Sequence, residues 1–211
     1  MKRILIPGAV GPLEALLELN PSARSSLAAL VCHPHPQYGG TMHNKVVFRA
    51  AKAALQAGIP VLRFNFRGVG KSGGTFANGI GERGDVRAAL DYLQARFPNT
   101  PLCLMGFSFG AWVGLFVGAE DPRVAALVGL GLPVGQGTDL SFLREVSKPK
   151  FFVHAALDEF GPADQMQTFY DSLPEPKQIH WVQGADHFFE GKLQEVQTAV
   201  REFLEGIVRG A

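Results

Sequence analysis

The stretch PLCLMGFSFGAWVGLFVGA, residues 101–119, decides how the rest of the chain is interpreted. It opens with an apolar run of strand length and closes with an apolar run of helical length. Between the two, GFSFG at residues 106–110 fits the pattern G-x-S-x-G. A sharp turn of this kind lifts the serine hydroxyl off the sheet, and the helix that follows points free N–H groups at the reaction centre. The stretch therefore predicts that Ser108 is a nucleophile.

The same region carries no charge over residues 97–119, and about 18 apolar residues suffice for a membrane span. However, four glycines interrupt it and two prolines lie at its start. A buried strand, a sharp turn and a buried helix in succession would have the same composition. We therefore expect these residues to lie inside a globular domain and not in a membrane.

Strand-like and helix-like segments alternate on both sides of this stretch. Apolar runs of strand length lie at residues 26–32, 59–66, 101–106, 125–132, 150–155 and 178–183. Helical spacing of apolar residues lies at 45–57, 82–97, 108–119, 163–172 and 192–208. This alternation predicts an α/β fold, with a mostly parallel sheet covered by helices on both faces. Two short strands at 3–7 and 13–19 are expected to add an antiparallel edge.

Composition and charge narrow the class of protein. The 211 residues are 46% hydrophobic and 18% charged, which favours one domain over residues 1–211 with a sizeable core. A net charge of +1 gives no electrostatic footprint for nucleic acid or for an anionic membrane. Prolines and glycines break the N-terminal apolar residues, so we expect no signal peptide. Cys32 and Cys103 lie in apolar runs and are expected to be reduced core thiols, which fits a cytoplasmic protein.

A serine nucleophile needs a base, and the base needs a carboxylate that orients it. His187, in GADHFF, precedes the last helix, and Asp158, in HAALDEFGP, follows the strand at 150–155. The chain order serine, aspartate, histidine is the order expected for α/β-hydrolases, with each residue just past a strand end. Three other carboxylates compete with Asp158 for this role, namely Glu159, Asp164 and Asp186.

At this point the sequence resembles the α/β-hydrolase superfamily, and more narrowly the small, lidless bacterial group related to dienelactone hydrolases. The residues that carry the resemblance are HPHPQYGGTM at 33–42, NKVV at 44–47, FNFRGVGKS at 64–72, the GFSFG turn, the Asp158 loop and GADH at 184–187. They cover nearly the whole chain in order. The resemblance implies an α/β-hydrolase fold without a large cap domain, and a serine hydrolase that needs no cofactor. It implies the catalytic apparatus but does not identify the physiological substrate.

The resemblance also implies an oxyanion hole of two backbone N–H groups. The first would come from Phe109, and the second from the loop after the strand at 26–32, near Gln37 or Tyr38. That loop holds two prolines, which restrict φ, and two glycines, which let backbone lie close to a ligand. His33 and His35 in the same loop also suggest a pair of metal ligands, but no cysteine or carboxylate lies near them in sequence. We expect them to be hydrogen-bonding loop residues and expect no metal.

The segment GVGKSG, residues 68–73, matches G-x-G-x-x-G and resembles a phosphate-binding loop. A Walker A motif would need glycine at position 65, where Asn65 stands. A dinucleotide fingerprint would need a helix that opens at the third glycine, but further glycines follow. We therefore expect a loop that flanks the site. Arg67, just before it, is expected to pair with a carboxylate either on the protein or on a substrate.

These observations predict a hydrolase that cleaves a small carboxylic ester through an acyl-enzyme, with Ser108, His187 and Asp158 as its triad. An acyl-peptide hydrolase, a thioesterase or an acyltransferase would use the same triad. A binding protein of the same fold without turnover is a further alternative, which the complete set of three residues argues against. The expected partner is a small-molecule ester, and the chain is expected to be a monomer or a homodimer. Residues 133–149 leave room for one short helix at 140–146, and therefore for no cap domain.

Overall fold

The structure is a computed structural model that describes residues 2–20, 26–135 and 137–210. The strands are β1 (Lys2–Ile6), β2 (Leu13–Glu18), β3 (Ala28–Cys32), β4 (Val61–Phe64), β5 (Leu102–Phe107), β6 (Val124–Leu130), β7 (Lys150–Ala155) and β8 (Lys177–Val182). The helices are α1 (Lys45–Gln56), α2 (Ile80–Arg96), α3 (Phe109–Glu120), α4 (Ala163–Asp171) and α5 (Leu193–Gly210). All of the predicted strands and helices are present, and most bounds agree within two residues.

The strands form one sheet in the order β1-β2-β4-β3-β5-β6-β7-β8. β2 pairs antiparallel with both β1 and β4, and every other neighbouring pair is parallel. The predicted parallel sheet with an antiparallel edge is therefore confirmed. All residues of β3, β5 and β7 are buried, because helices cover both faces of the sheet. This explains why these strands are continuous apolar runs rather than alternating ones.

The two faces of the sheet carry separate hydrophobic clusters. α2, α3 and α4 pack on one face, where residues such as Leu90, Leu115 and Met166 are fully buried. α1 and α5 cover the other face, and their contact there includes Val47 and Val200. The unpaired Cys32 and Cys103 are buried in this interior, as expected. Each helix therefore packs an apolar face against the sheet. The polar loops lie at the two ends of the strands.

Two predicted bounds differ for local reasons. α2 begins at Ile80 rather than at residue 82, because the Glu82 carboxylate accepts the N–H groups of Ala77 and Gly79 at 2.8 Å each and caps the helix. Gly79 has a φ of 83°, the left-handed region. β4 ends at Phe64 rather than at residue 66, because the N–H of Phe66 donates to a histidine side chain of the neighbouring loop.

The loops after β3, β4, β5, β7 and β8 lie together at the carboxyl ends of the strands, because parallel strands end on the same side of the sheet. Between β6 and β7, the described residues 131–135 and 137–149 contain only a short 3-10 turn, Ser141–Glu145. This agrees with the expected short helix and leaves that side without a large cap. None of the described helices is long and apolar enough to cross a membrane.

Candidate active site

Ser108 lies at the sharp turn between β5 and α3. Its φ is 53° and its ψ is −121°, a conformation that costs energy for any residue other than glycine and that persists only when its surroundings impose it. A Cβ atom at Gly106 would overlap the carbonyl of Gly110, and one at Gly110 would overlap the carbonyls of Cys32 and His33. The two glycines of G-x-S-x-G are therefore required by close backbone contacts around the serine.

Ser108, His187 and Asp158 come together in one hydrogen-bonded line. The distance from Ser108 Oγ to His187 Nε2 is 2.9 Å, and His187 Nδ1 lies 2.8 Å from Oδ2 and 2.9 Å from Oδ1 of Asp158. The carboxylate can only accept, so Nδ1 carries the proton and Nε2 is left to accept from the serine hydroxyl. Asp158 is 3% exposed and His187 2% exposed, so water does not compete strongly for either side chain.

The loop after β7 holds the Asp158 carboxylate by its backbone. The N–H groups of Phe160 and Gly161 donate to Oδ1 at 2.9 and 3.0 Å. The competing carboxylates have other surroundings. Glu159 and Asp164 are exposed, and the exposed Asp186 accepts the N–H groups of two residues in its own turn at 3.1 Å. The geometry therefore favours Asp158 as the partner of His187.

His154, on β7, forms a hydrogen bond to the loop that carries Asp158. Its Nε2 donates to the carbonyl of Gly161 at 2.6 Å, and a Cβ at Gly161 would lie 2.9 Å from the His154 ring. His154 is fully buried, and burial lowers the pKa of its ring. Within the described part of the chain its Nδ1 has no hydrogen-bond partner. No local sequence pattern reveals this role, because the bond from His154 to Gly161 spans a loop.

In the loop after β3, the two N–H groups expected to supply the second oxyanion donor already have acceptors. The N–H of Gln37 donates to His35 Nδ1 at 3.2 Å, and the N–H of Tyr38 donates to the carbonyl of His35 at 3.1 Å. Both hydrogens are thus used to build a short 3-10 turn, Pro36–Tyr38, and neither is free. In contrast, the N–H of His35 has no acceptor among the described residues.

The free amides of the loop and the helix lie in neighbouring elements. The N–H of Phe109 belongs to the first turn of α3, where no carbonyl of the helix can accept it. The ring of His35 lies 4.9 Å from the ring of Phe109. The loop therefore lies against the residue that follows Ser108, and the amides of His35 and Phe109 are the two candidates for binding an oxyanion.

His33 ties this loop to β4. Its Nδ1 donates to the carbonyl of Pro34 at 2.7 Å, and its Nε2 accepts the N–H of Phe66 at 3.0 Å. The ring is fully buried, and burial lowers the pKa of His33 to about 4. Since both ring nitrogens are bonded to backbone, neither is available to a metal. In the described residues no three metal-ligating side chains cluster together.

Arg67 pairs with a carboxylate of the protein. Its guanidinium donates to Asp85 at 2.7–3.1 Å, and its own N–H also donates to that carboxylate at 3.0 Å. The adjoining segment, residues 68–73, folds back on β2, where the Glu14 carboxylate accepts the N–H of Lys71 at 3.0 Å. A carboxylate at this place would repel a phosphate, so the expected role as a flanking loop fits better than nucleotide binding.

Comparisons with known proteins indicate the family of this chain. A family model described as an alpha/beta hydrolase domain matches residues 29–208. An uncharacterized protein of Rickettsia prowazekii is 38% identical over 97% of this chain and 89% of its own length.

Two solved structures are also similar. One is an alpha-beta serine hydrolase homologue from Coxiella burnetii, with 36% identity, 96% of this chain and 97% of that one covered, and a TM-score of 0.91. The other is an a/b serine hydrolase without lid from Xanthomonas campestris, with 34% identity, 98% and 94% covered, and a TM-score of 0.90.

Proposed function

Because the chain belongs to the alpha/beta hydrolase family, within its small lidless group, we propose that it cleaves a small carboxylic ester through an acyl-enzyme. The observation that carries this proposal is the unbroken line from Ser108 Oγ through the ring of His187 to the Asp158 carboxylate. The proposal treats residues 1–211 as one catalytic domain that needs no cofactor. It places the protein in the cytoplasm, because its two buried cysteines are unpaired.

In the acylation step, Ser108 Oγ attacks the ester carbonyl while His187 Nε2 takes the serine proton. The negative charge that develops on the carbonyl oxygen is stabilised by the N–H groups of His35 and Phe109. Collapse of this intermediate breaks the bond to the leaving oxygen, which receives the proton from Nε2 and departs as the alcohol. Asp158 keeps the proton of His187 on Nδ1 and stabilises the positively charged ring that forms in between.

In the deacylation step, water replaces the alcohol. His187 Nε2 takes a proton from the water, whose oxygen attacks the acyl-enzyme carbonyl. When the acyl–oxygen bond breaks, Nε2 returns the proton to Ser108 Oγ and the carboxylic acid is released. A thioesterase, an acyl-peptide hydrolase and an acyltransferase would differ only in the leaving group or the acceptor, so the triad geometry does not distinguish them.

A fluorophosphonate probe followed by an ester screen tests the proposal. The probe reacts with a serine only when a base activates it, so wild-type protein should become labelled. Hydrolysis of short nitrophenyl esters should accompany the labelling. A protein that labels but hydrolyses none of the esters would be assigned to the thioester or transfer reactions. A protein that does not label would contradict the acyl-enzyme.

The open edge of the sheet leads us to expect a preference for short acyl chains. Without a cap, little apolar surface is available to a long chain, and buried area provides roughly 25 cal/mol of binding free energy per Å². A series of nitrophenyl esters with acyl chains from two to twelve carbons would measure kcat/KM against length. We expect the maximum at the short end. A maximum at about twelve carbons would contradict this expectation and indicate a deep acyl pocket.

A further inference from the structure

The surroundings of His187 indicate which alcohol the enzyme releases from its ester substrate. This inference rests on the proposed acyl-enzyme. His187 Nε2 is the atom that protonates the leaving oxygen. That oxygen must therefore come within hydrogen-bond distance of Nε2, about 2.6–3.2 Å. Whatever is attached to the leaving oxygen then lies beside the His187 ring, and the surroundings of that ring determine which alcohol fits.

Three phenyl rings surround the His187 ring. The centroid distances are 4.7 Å to Phe160, 5.1 Å to Phe107 and 5.3 Å to Phe188. Phe107 is fully buried, and its ring packs against the imidazole. Phe160 is 37% exposed and Phe188 is 49% exposed. Both rings therefore offer apolar surface next to the His187 ring.

Hydrogen bonds from backbone N–H groups fix the two loops that carry these exposed rings. The N–H of Phe160 donates to Asp158 Oδ1 at 2.9 Å, and the N–H of Phe188 donates to Asp186 Oδ1 at 3.1 Å. The two loops are joined as well, since the N–H of Leu157 donates to the carbonyl of Ala185 at 3.0 Å. The loops that carry the two rings are thus fixed before a substrate binds, which lowers the entropy cost of binding.

The other side of Ser108 differs in its packing. The aromatic rings next to the two oxyanion amides contact one another at centroid distances of 4.6–5.9 Å, and they belong to His35, Tyr38, Phe76, Phe109 and Trp112. Four of these rings are buried or half-buried in contact with one another, and Tyr38 is 87% exposed. The exposed apolar surface of Phe160 and Phe188 is therefore better placed for the alcohol than for the acid part of the ester.

The charges on the His187 side restrict the alcohol further. Glu159, Asp186 and Glu190 are exposed on the two loops. Two exposed lysines partly offset this charge: Lys45 lies 3.9 Å from Glu190, and Lys192 follows the second loop. A leaving group that carries a carboxylate or a phosphate would meet like charge here.

We propose that Phe160 and Phe188 bind the leaving group and select esters of neutral aromatic alcohols. Phenyl rings favour edge-to-face or offset contacts with another aromatic ring, beyond the effect of burial alone. An aromatic alcohol should therefore be preferred over an aliphatic alcohol of the same size.

Acetate esters test this proposal, because they keep the acyl group constant while the alcohol varies. Benzyl acetate supplies the neutral aromatic alcohol, and cyclohexylmethyl acetate supplies an aliphatic alcohol of similar size and acidity. Acetylcholine supplies a cationic alcohol, and the acetate ester of 4-carboxybenzyl alcohol supplies an anionic one. For the wild-type protein we expect kcat/KM for benzyl acetate to exceed each of the other three by about tenfold.

Phe160→Ala and Phe188→Ala should each remove most of the preference for benzyl over cyclohexylmethyl acetate. The preference is taken as the ratio of the two kcat/KM values within one variant, so it does not depend on how fast that variant reacts with a fluorophosphonate. Phe48→Ala is the matched control, since Phe48 is 44% exposed on α1, where it contacts Arg63. This variant should keep the wild-type preference.

The outcomes separate the two proposals. Labelled wild-type protein without a benzyl preference, or with a preference for acetylcholine, overturns the role of the rings while the acyl-enzyme stands. A benzyl preference that survives in both alanine variants also overturns that role. Wild-type protein that neither labels nor hydrolyses any of the esters overturns both proposals.

Discussion

Ser108→Ala is expected to abolish labelling by fluorophosphonates and to lower kcat for a short nitrophenyl ester by several orders of magnitude. In other serine hydrolases, loss of the nucleophile costs on the order of 10⁶ in kcat, and the residual rate comes from the oxyanion donors and binding. The fold should survive, because alanine keeps the Cβ atom and the N–H of residue 108 still donates to the carbonyl of Leu130 at 2.9 Å.

Ser172→Ala is the matched control for this variant. Ser172 is an exposed serine at the end of α4, and its hydroxyl donates to the carbonyl of Phe169 at 2.7 Å. We expect this variant to label and to hydrolyse esters as wild type does, with melting temperature checked for all three proteins. A Ser108→Ala protein that still labels would show that another residue is the nucleophile.

Asp158→Asn is expected to lower kcat by about 10⁴ while the protein stays folded, the size of effect seen when a triad aspartate becomes an amide. The reason lies in its partners. The N–H groups of Phe160 and Gly161 donate to Oδ1, so an amide would place its oxygen there and its NH₂ near His187 Nδ1. That NH₂ would force Nδ1 to accept and would move the ring proton to Nε2. The histidine could then no longer accept the proton of Ser108.

Two neighbouring carboxylates provide controls. Glu159→Gln and Asp186→Asn remove charges from the same two loops without touching His187, and we expect kcat within a few-fold of wild type. Steady-state kinetics and the fluorophosphonate labelling rate measure all three variants. If Asp186→Asn proved as damaging as Asp158→Asn, the orienting carboxylate would have to be reassigned.

Much of the fold could be predicted because its information is local. Apolar runs bounded by glycine, proline and polar loops mark β3 to β8, and the bounds of β7 agree to the residue. The three residues of the proposed triad were found for a related reason. In a parallel sheet, the loops after the strands meet at one edge, so Ser108, Asp158 and His187 are brought together by topology.

The features that the sequence left open or did not indicate depend on contacts between distant segments. The pairing of Arg67 with Asp85 links a loop to a helix 18 residues later. The free amide of His35 could be recognised only after its neighbours Gln37 and Tyr38 were seen to donate inside the loop. Hydrogen-bond partners of backbone groups leave no pattern in the order of side chains, so the oxyanion donor could not be chosen from the sequence.

The buried ring of His33 makes the stability of the protein depend on acid. Its folded pKa is about 4, well below its ordinary value of about 6.5, because burial disfavours the charged ring. Between about pH 6.5 and pH 4 the unfolded chain therefore takes up a proton that the folded chain does not. The free energy of unfolding therefore decreases as the pH falls, by about 3 kcal/mol over this interval.

Urea unfolding at a series of pH values, with wild type and His33→Gln compared, measures this contribution. Glutamine cannot titrate, so the variant should lose less stability than wild type between pH 6.5 and 4, even if it is less stable at neutral pH. Parallel curves for the two proteins would contradict it. Because His33 anchors the loop that carries His35, this acid-dependent loss of stability originates at the loop that holds the proposed oxyanion donor. An environment of low pH would then inactivate this protein by loosening its scaffold.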